Sequence, residues 1–157
     1  LMTTTTLRTG AQMTTLAKLY KDLGWNATRQ AGMNRRVCGH ETIRTSEDAR
    51  KLHQALERML MRLLVRDHAE ALTRLVHGMR QESASLSPWE RAFLQDISRR
   101  IQGNLKLTVQ MVKKVRQIAH VRGFDCGFPS FRELSKQADE ARETRRTRDR
   151  GTHGEPT

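Results

Sequence analysis

Apolar residues recur along most of this chain at steps of three and four, the spacing that lines one face of an α-helix. Met13, Leu16, Tyr20 and Leu23 set out the first such face, and Gly24 is its stop. Residues 24–44 keep no helical period and hold three glycines among polar side chains, so they read as a long loop with at most a short turn. Thr45-Ser46-Glu47-Asp48 then opens a helix, with Thr45 or Ser46 as N-cap and two acids in the first turn. Leu52, Leu56, Met59, Leu60, Leu63 and Leu64 form a broad stripe behind it, continued by Ala69, Leu72, Leu75, Val76 and Met79. With no Gly or Pro across residues 46–77, the pattern predicts one long helix, the alternative being a break near Arg66-Asp67-His68.

Ser87-Pro88-Trp89-Glu90 is the strongest local signal. Ser at the N-cap, Pro at the first helical position and Glu two residues on form a capping box ahead of Phe93, Leu94, Ile97 and Ile101. Gly103-Asn104 closes that helix. Thr108 caps the next, whose core face is Met111, Val112, Val115, Ile118 and Ala119 and whose end is Gly123. Ser130 starts a last, nearly all-polar helix, and from Arg142 onward the charged, apolar-free run reads as disordered. The expected fold is all-α: a small helical bundle with one long central helix, a helix–turn–helix pair at 88–122 and a disordered basic C-terminal tail. Residues 1–10 are expected to be disordered, 11–128 to form the helical domain, and 129–157 to supply the polar helix and tail.

Composition supports helices over strands, because the sequence has 17 Leu and 7 Met against 7 Val and 4 Ile. It also excludes several classes. No run approaches the 18 apolar residues of a membrane span. Leu1–Gly10 has four consecutive Thr and no apolar core, so no secretory signal is expected there, and a Leu-Met opening reads as a clipped or tagged start. Two cysteines in 157 residues fit a reducing, cytoplasmic compartment rather than a disulfide scaffold.

Charge changes the picture most. The net charge is +12, and 22 of the 29 basic residues are Arg, whose planar fork of donors suits phosphate and base edges. The excess arises where acids are left out. From Arg99 to Arg122 there are seven cations (Arg99, Arg100, Lys106, Lys113, Lys114, Arg116 and Arg122) and no Asp or Glu. On a helical wheel the Met111–Val115–Ile118 face is opposed by Lys113, Arg116, Gln117 and His120, with Lys114 on the flank. Residues 23–40 are the second acid-free window, with Arg29, Arg35 and Arg36 beside Gly and amide side chains and with Trp25 as a base-stacking candidate. Arg142, Arg145, Arg146, Arg148 and Arg150 are a third basic element. Such cations displace condensed counterions from a phosphate backbone, which is the sequence-independent part of nucleic-acid affinity. The competing reading is a solvated basic face with Trp25 in the core.

Chemistry beyond charge is sparse. Cys38-x-His40 and His120-x5-Cys126 miss the short paired spacing of zinc ligands, so no metal and no cofactor is expected. Glu47-Asp48 is explained by helix-start charge. No nucleophile motif or phosphate-cradling Gly loop occurs, so an enzyme is not expected. A second apolar face through Leu60, Leu64, Leu72 and Leu75 is a candidate for self-association.

Ser87-Pro88-Trp89-Glu90, Phe93-Leu94, Ile97, Leu107-Thr108, Val115 and Ile118 together resemble a two-helix segment of small uncharacterised proteins of phages and other mobile elements. The resemblance covers about 35 residues at capping and core positions. It departs at Val109-Gln110-Met111, where a Lys-Gln pair is commoner, and it implies a mobile-element or defence setting without a catalytic residue. Size and basic helical make-up are also similar to the small subunits of CRISPR effector complexes. The expectation is a non-enzymatic nucleic-acid-binding protein, DNA or RNA, contacting phosphates through the ten residues Arg29 to Arg122 named in the two windows. The alternative is a structural small subunit or adaptor whose partners are protein subunits of a larger complex.

Overall fold

The computed structural model describes the backbone of residues 2–153 and the side chains of residues 12–151. Six α-helices and a single 3-10 turn make up the described chain, with no strand among them: α1 (Met2–Leu23), α2 (Ala27–Cys38), α3 (Ser46–Gln81), α4 (Pro88–Gln102), α5 (Val109–Val121) and α6 (Phe131–His153). The chain is all-α, with the expected helical pair at 88–122. It divides into two compact units, residues 1–58 with 130–157 and residues 59–129, so α3 contributes to both.

In the first unit, α1 packs with α6. Leu16, Leu19, Tyr20 and Leu23 of α1 are buried, as are Phe131, Leu134 and Ser135 of α6 and Ala49, Leu52 and Leu56 of α3. Gly24 ends α1 in a Schellman turn, in which Trp25 N–H donates to Tyr20 O at 3.3 Å and Gly24 N–H to Lys21 O at 3.0 Å. Its φ of +71° requires a left-handed conformation, and a β-carbon there would stand 2.6 Å from the Arg132 guanidinium. The backbone conformation is what calls for glycine here, since the Arg132 side chain could swing aside.

One expectation is corrected in this unit, and backbone helix reaches into two stretches expected to be disordered. Residues 27–38, read as loop, are the helix α2. Asn26 caps it by accepting from Arg29 N–H at 2.8 Å, and Gly39 closes it at φ +85°. The helix is hard to see in the sequence because its buried side is Met33 followed by a polar residue, Asn34. The Tyr20 hydroxyl donates to Asn34 Oδ1 at 2.6 Å, and Asn34 Nδ2 donates to Glu41 O at 2.7 Å, so the buried amide is satisfied on both sides. Backbone helix also begins at Met2, within the stretch expected to be disordered. At the other end the backbone of α6 runs on to His153, into the stretch expected as a disordered tail, and residues 154–157 lie outside the described residues.

Burial of the phenol has a measurable consequence. Desolvation raises the Tyr20 pKa from 10.0 to about 12, the nearby Cys38 adding to the effect and Arg29 opposing it. Tyr20 is the sole tyrosine in the sequence, so tyrosinate absorbance reports it alone. The native protein is expected to ionise near pH 12 and the denatured chain near 10. Because the folded value is the higher one, the stabilisation is complete below pH 10 and is lost as pH rises towards 12. Native titration near 10 would contradict a buried, hydrogen-bonded phenol.

In the second unit Leu60 and Leu64 lie on the buried stripe of α3, followed by Leu72, Leu75, Val76 and Met79. The jump from 64 to 72 coincides with a kink at His68 (φ −135°, ψ 16°), so α3 bends where the alternative reading put a break instead of running straight. Leu60, Leu64, Leu72 and Leu75 are all buried, which removes them as a self-association face. The capping box at α4 is formed: Ser87 Oγ accepts from Glu90 N–H at 3.1 Å, and Glu90 Oε1 accepts from Ser87 N–H at 2.8 Å. Leu94 and Ile97 of α4 and Val109, Val112, Val115, Ile118 and Ala119 of α5 are buried. Met111, expected in that core face, is only half-buried, and Val109 takes its place.

Candidate nucleic-acid interface

The ten cations singled out in the sequence fall on both units, and the structure separates them by what each side chain already holds. In the first unit Arg29 sits 4.2 Å above the Trp25 ring and bonds Asp139 Oδ1 at 3.1 Å. Trp25 itself is buried, stacked on Tyr20 at 5.7 Å, and donates its indole N–H to Ser135 Oγ at 2.9 Å. Of the two readings open for it, base-stacking candidate or core residue, Trp25 takes the second. Arg35 pairs with Glu41. Arg36 is exposed and makes no ion pair with a described residue.

In the second unit Arg100 bonds Asp96 Oδ2 at 3.0 Å and reaches the Lys106 carbonyl, also at 3.0 Å. Arg116 is half-buried, donates to the Phe128 carbonyl and lies 5.3 Å from that ring's centre. Arg122 grips Glu90 with Nη2 at 2.6 Å and Nε at 3.3 Å. Its position follows from the end of α5, where Gly123 at φ +78° turns the chain and Phe124 N–H closes on Ala119 O at 2.8 Å. One carboxylate thus caps the start of α4 and holds the end of α5. Lys113 is half-buried.

Three further cations of the 99–122 window have neither a carboxylate nor a backbone carbonyl as a side-chain partner among the described residues. Arg99, in the last turn of α4, and Lys106, in the turn before α5, are exposed and make no ion pair with a described residue. Lys114 faces a ring and an amide, with Nζ 5.1 Å from the Trp89 ring centre and 3.3 Å from Gln117 Oε1. Trp89 was not among the sequence candidates. It is 57% exposed and stacked on Phe93 at 5.2 Å with 7° between the planes. The signal available is Trp and Phe four residues apart at a helix start, of which the sequence reading uses only Phe93, as core.

α6 adds a separate basic element: residues 140–151 are all exposed, and Arg142, Arg145, Arg146 and Arg150 form no ion pair with a described residue.

No group of three His, Cys, Asp or Glu side chains among the described residues is placed to hold a metal. His40 Nε2 lies 2.9 Å from Asp48 Oδ2, and that hydrogen bond holds the Asp48 carboxyl below its ordinary range. Burial, with Asp48 nearby, pushes the Cys38 thiol up, away from the reactive thiolate, and burial does the same at Cys126. Among the described residues no helix is long and apolar enough to cross a membrane.

The Glu90–Arg122 pair gives a direct acid test. Arg122 and the Ser87 amide lower the Glu90 pKa from 4.5 to about 2. With the folded value depressed, the stabilisation is present above pH 4.5 and lost as pH falls towards 2. In Glu90→Gln, which keeps the capping geometry but not the charge, the melting temperature should depend less on pH across that window than in the parent. Parallel profiles would show that the pair carries no linkage.

The fold and these surfaces define an all-α protein with exposed basic helices. Comparison with protein-family models, curated proteins and solved structures finds no match.

Proposed function

We propose that the protein binds nucleic acid without catalysing a reaction, through phosphate contacts made by the α4–α5 pair. One observation carries this reading. After internal ion pairs have taken up Arg100 and Arg122, the pair still presents Arg99 and Lys106 to solvent with no carboxylate partner among the described residues, and Lys114 faces only an amide and a ring. A cation whose acid neighbour is already in place gains little from a phosphate. One that is merely hydrated gains the entropy of released counterions.

Arg99, Lys106 and Lys114 are therefore the central contacts. Arg36 and the exposed arginines of α6 add to the positive field that draws a polyanion in. Arg29, Arg35, Arg100, Arg116 and Arg122 act on the fold first, because using them on a phosphate would break a bond already formed.

Fluorescence anisotropy of labelled oligonucleotides with the purified chain tests the proposal. Binding at low ionic strength that weakens steeply as salt is added is the expected result. Recovery from cells should likewise be nuclease-sensitive. No binding at low salt, together with nuclease-resistant recovery of a protein partner, would contradict it in favour of an adaptor role.

A further inference from the structure

We propose that Trp89 is a stacking site for an unpaired base, which makes a single strand the preferred form of nucleic acid. This deepens the preceding reading and rests on it. A tryptophan 57% exposed leaves much of its apolar surface in water, whereas most of this residue type is well covered. The ring is held in place, because Phe93 one turn on stacks nearly parallel to it. A base arriving there therefore costs little side-chain ordering.

The surroundings fit a nucleotide better than an apolar partner. Lys114 Nζ stands 5.1 Å from the ring centre, where it can neutralise the phosphate attached to a stacked base. Gln117 lies against Lys114, and Gln110, four residues before it on α5, is exposed, so donors and acceptors for a base edge lie along the same helix. The amides at the start of α4 are excluded as an anion cradle, because Ser87 and Glu90 satisfy each other there and Arg122 neutralises the carboxylate. What remains for a ligand is the exposed ring surface that Phe93 does not cover, with the Lys114 ammonium giving way to a stacked base. A duplex keeps its base faces stacked inside and cannot offer one to Trp89, whereas a single strand can.

The test is anisotropy titration of a labelled oligothymidylate of about 15 nucleotides, and of a duplex of equal length, with the full chain, Trp89→Ala and Trp89→Phe. Trp89→Ala should weaken single-strand binding by about 5- to 150-fold, leave the salt slope unchanged and leave duplex binding unaffected. Trp89→Phe should retain part of the affinity, which separates loss of stacking from loss of fold. Strand binding should also quench tryptophan emission in the parent but not in Trp89→Phe, where only the buried Trp25 remains.

Unchanged single-strand affinity in Trp89→Ala, with the steep salt response intact, would overturn the stacking site and leave the charge reading standing. No binding of either oligonucleotide by the parent would overturn both. Self-association abolished by Trp89→Ala, with strand affinity unchanged, would assign the ring to a second copy of the chain and overturn the proposal.

Discussion

Replacing Arg99, Lys106 and Lys114 together by alanine is expected to weaken nucleic-acid binding by roughly 10- to 100-fold at low salt while leaving the fold intact. The two parts of that expectation have one cause. Arg99 and Lys106 bond to no carboxylate among the described residues, and Lys114 holds only Gln117 and the Trp89 ring. Removing them breaks no described ion pair. Surface changes of this kind shift stability by about 0.5 kcal/mol or less each. The contrasting variant is Arg29→Ala, Arg100→Ala and Arg122→Ala, which removes equal formal charge but breaks the pairs with Asp139, Asp96 and Glu90. It should lower the melting temperature and weaken binding less than the first variant. Calorimetry and anisotropy on the two triple variants check both halves, and equal binding losses would mean that total charge, rather than particular side chains, governs affinity.

The largest effect on stability is expected at the core of the helical pair. Leu94 is fully buried between the α4 capping box and the last turn of that helix. Leu94→Ala removes its two buried methyl groups and the γ-carbon that carries them, and leaves a cavity that rigid helices fill only in part, at a cost of about 2–5 kcal/mol. For a chain of this size that lowers the melting temperature by on the order of 10 °C. Val121→Ala is the matched control. It too removes apolar carbon from the pair, but at a site 66% exposed, so the loss should be within about 0.5 kcal/mol. Thermal unfolding followed by circular dichroism reads both. A Leu94→Ala melt indistinguishable from Val121→Ala would mean that α4 is not packed as described.

What was legible in the sequence was what depends on near neighbours. Ser87 and Glu90 are three residues apart, and the box they predict is the box observed. The four-residue steps of Leu52, Leu56, Leu60 and Leu64 likewise became a fully buried stripe. α2 was missed because its buried face includes an amide, and an amide breaks a hydrophobic period even where it is fully satisfied. The run after Arg142 was read as disordered because it has no apolar face, yet it continues a helix whose first turns are anchored by Phe131, Leu134 and Ser135.

The basic windows needed the largest revision. Each lacks acids along the chain, but folding brings acids in from elsewhere: Asp139 reaches Arg29 across 110 positions and Glu90 reaches Arg122 across 32. Acid-free in sequence is therefore not acid-free in space. The candidate surface shrinks from ten cations to the few whose neighbours leave them uncompensated. Trp89 stands in the sequence only as part of the capping signal, and nothing in its spacing tells that its ring is left exposed.

The most direct test is the salt dependence of oligothymidylate affinity, measured side by side for the parent chain and the Arg99/Lys106/Lys114 alanine variant. Each phosphate contact on a single strand contributes about 0.7 to the slope of log affinity against log salt, so the variant's slope should be shallower by about 2. Parallel lines, or a flat line for the parent chain, would contradict phosphate binding by the α4–α5 pair.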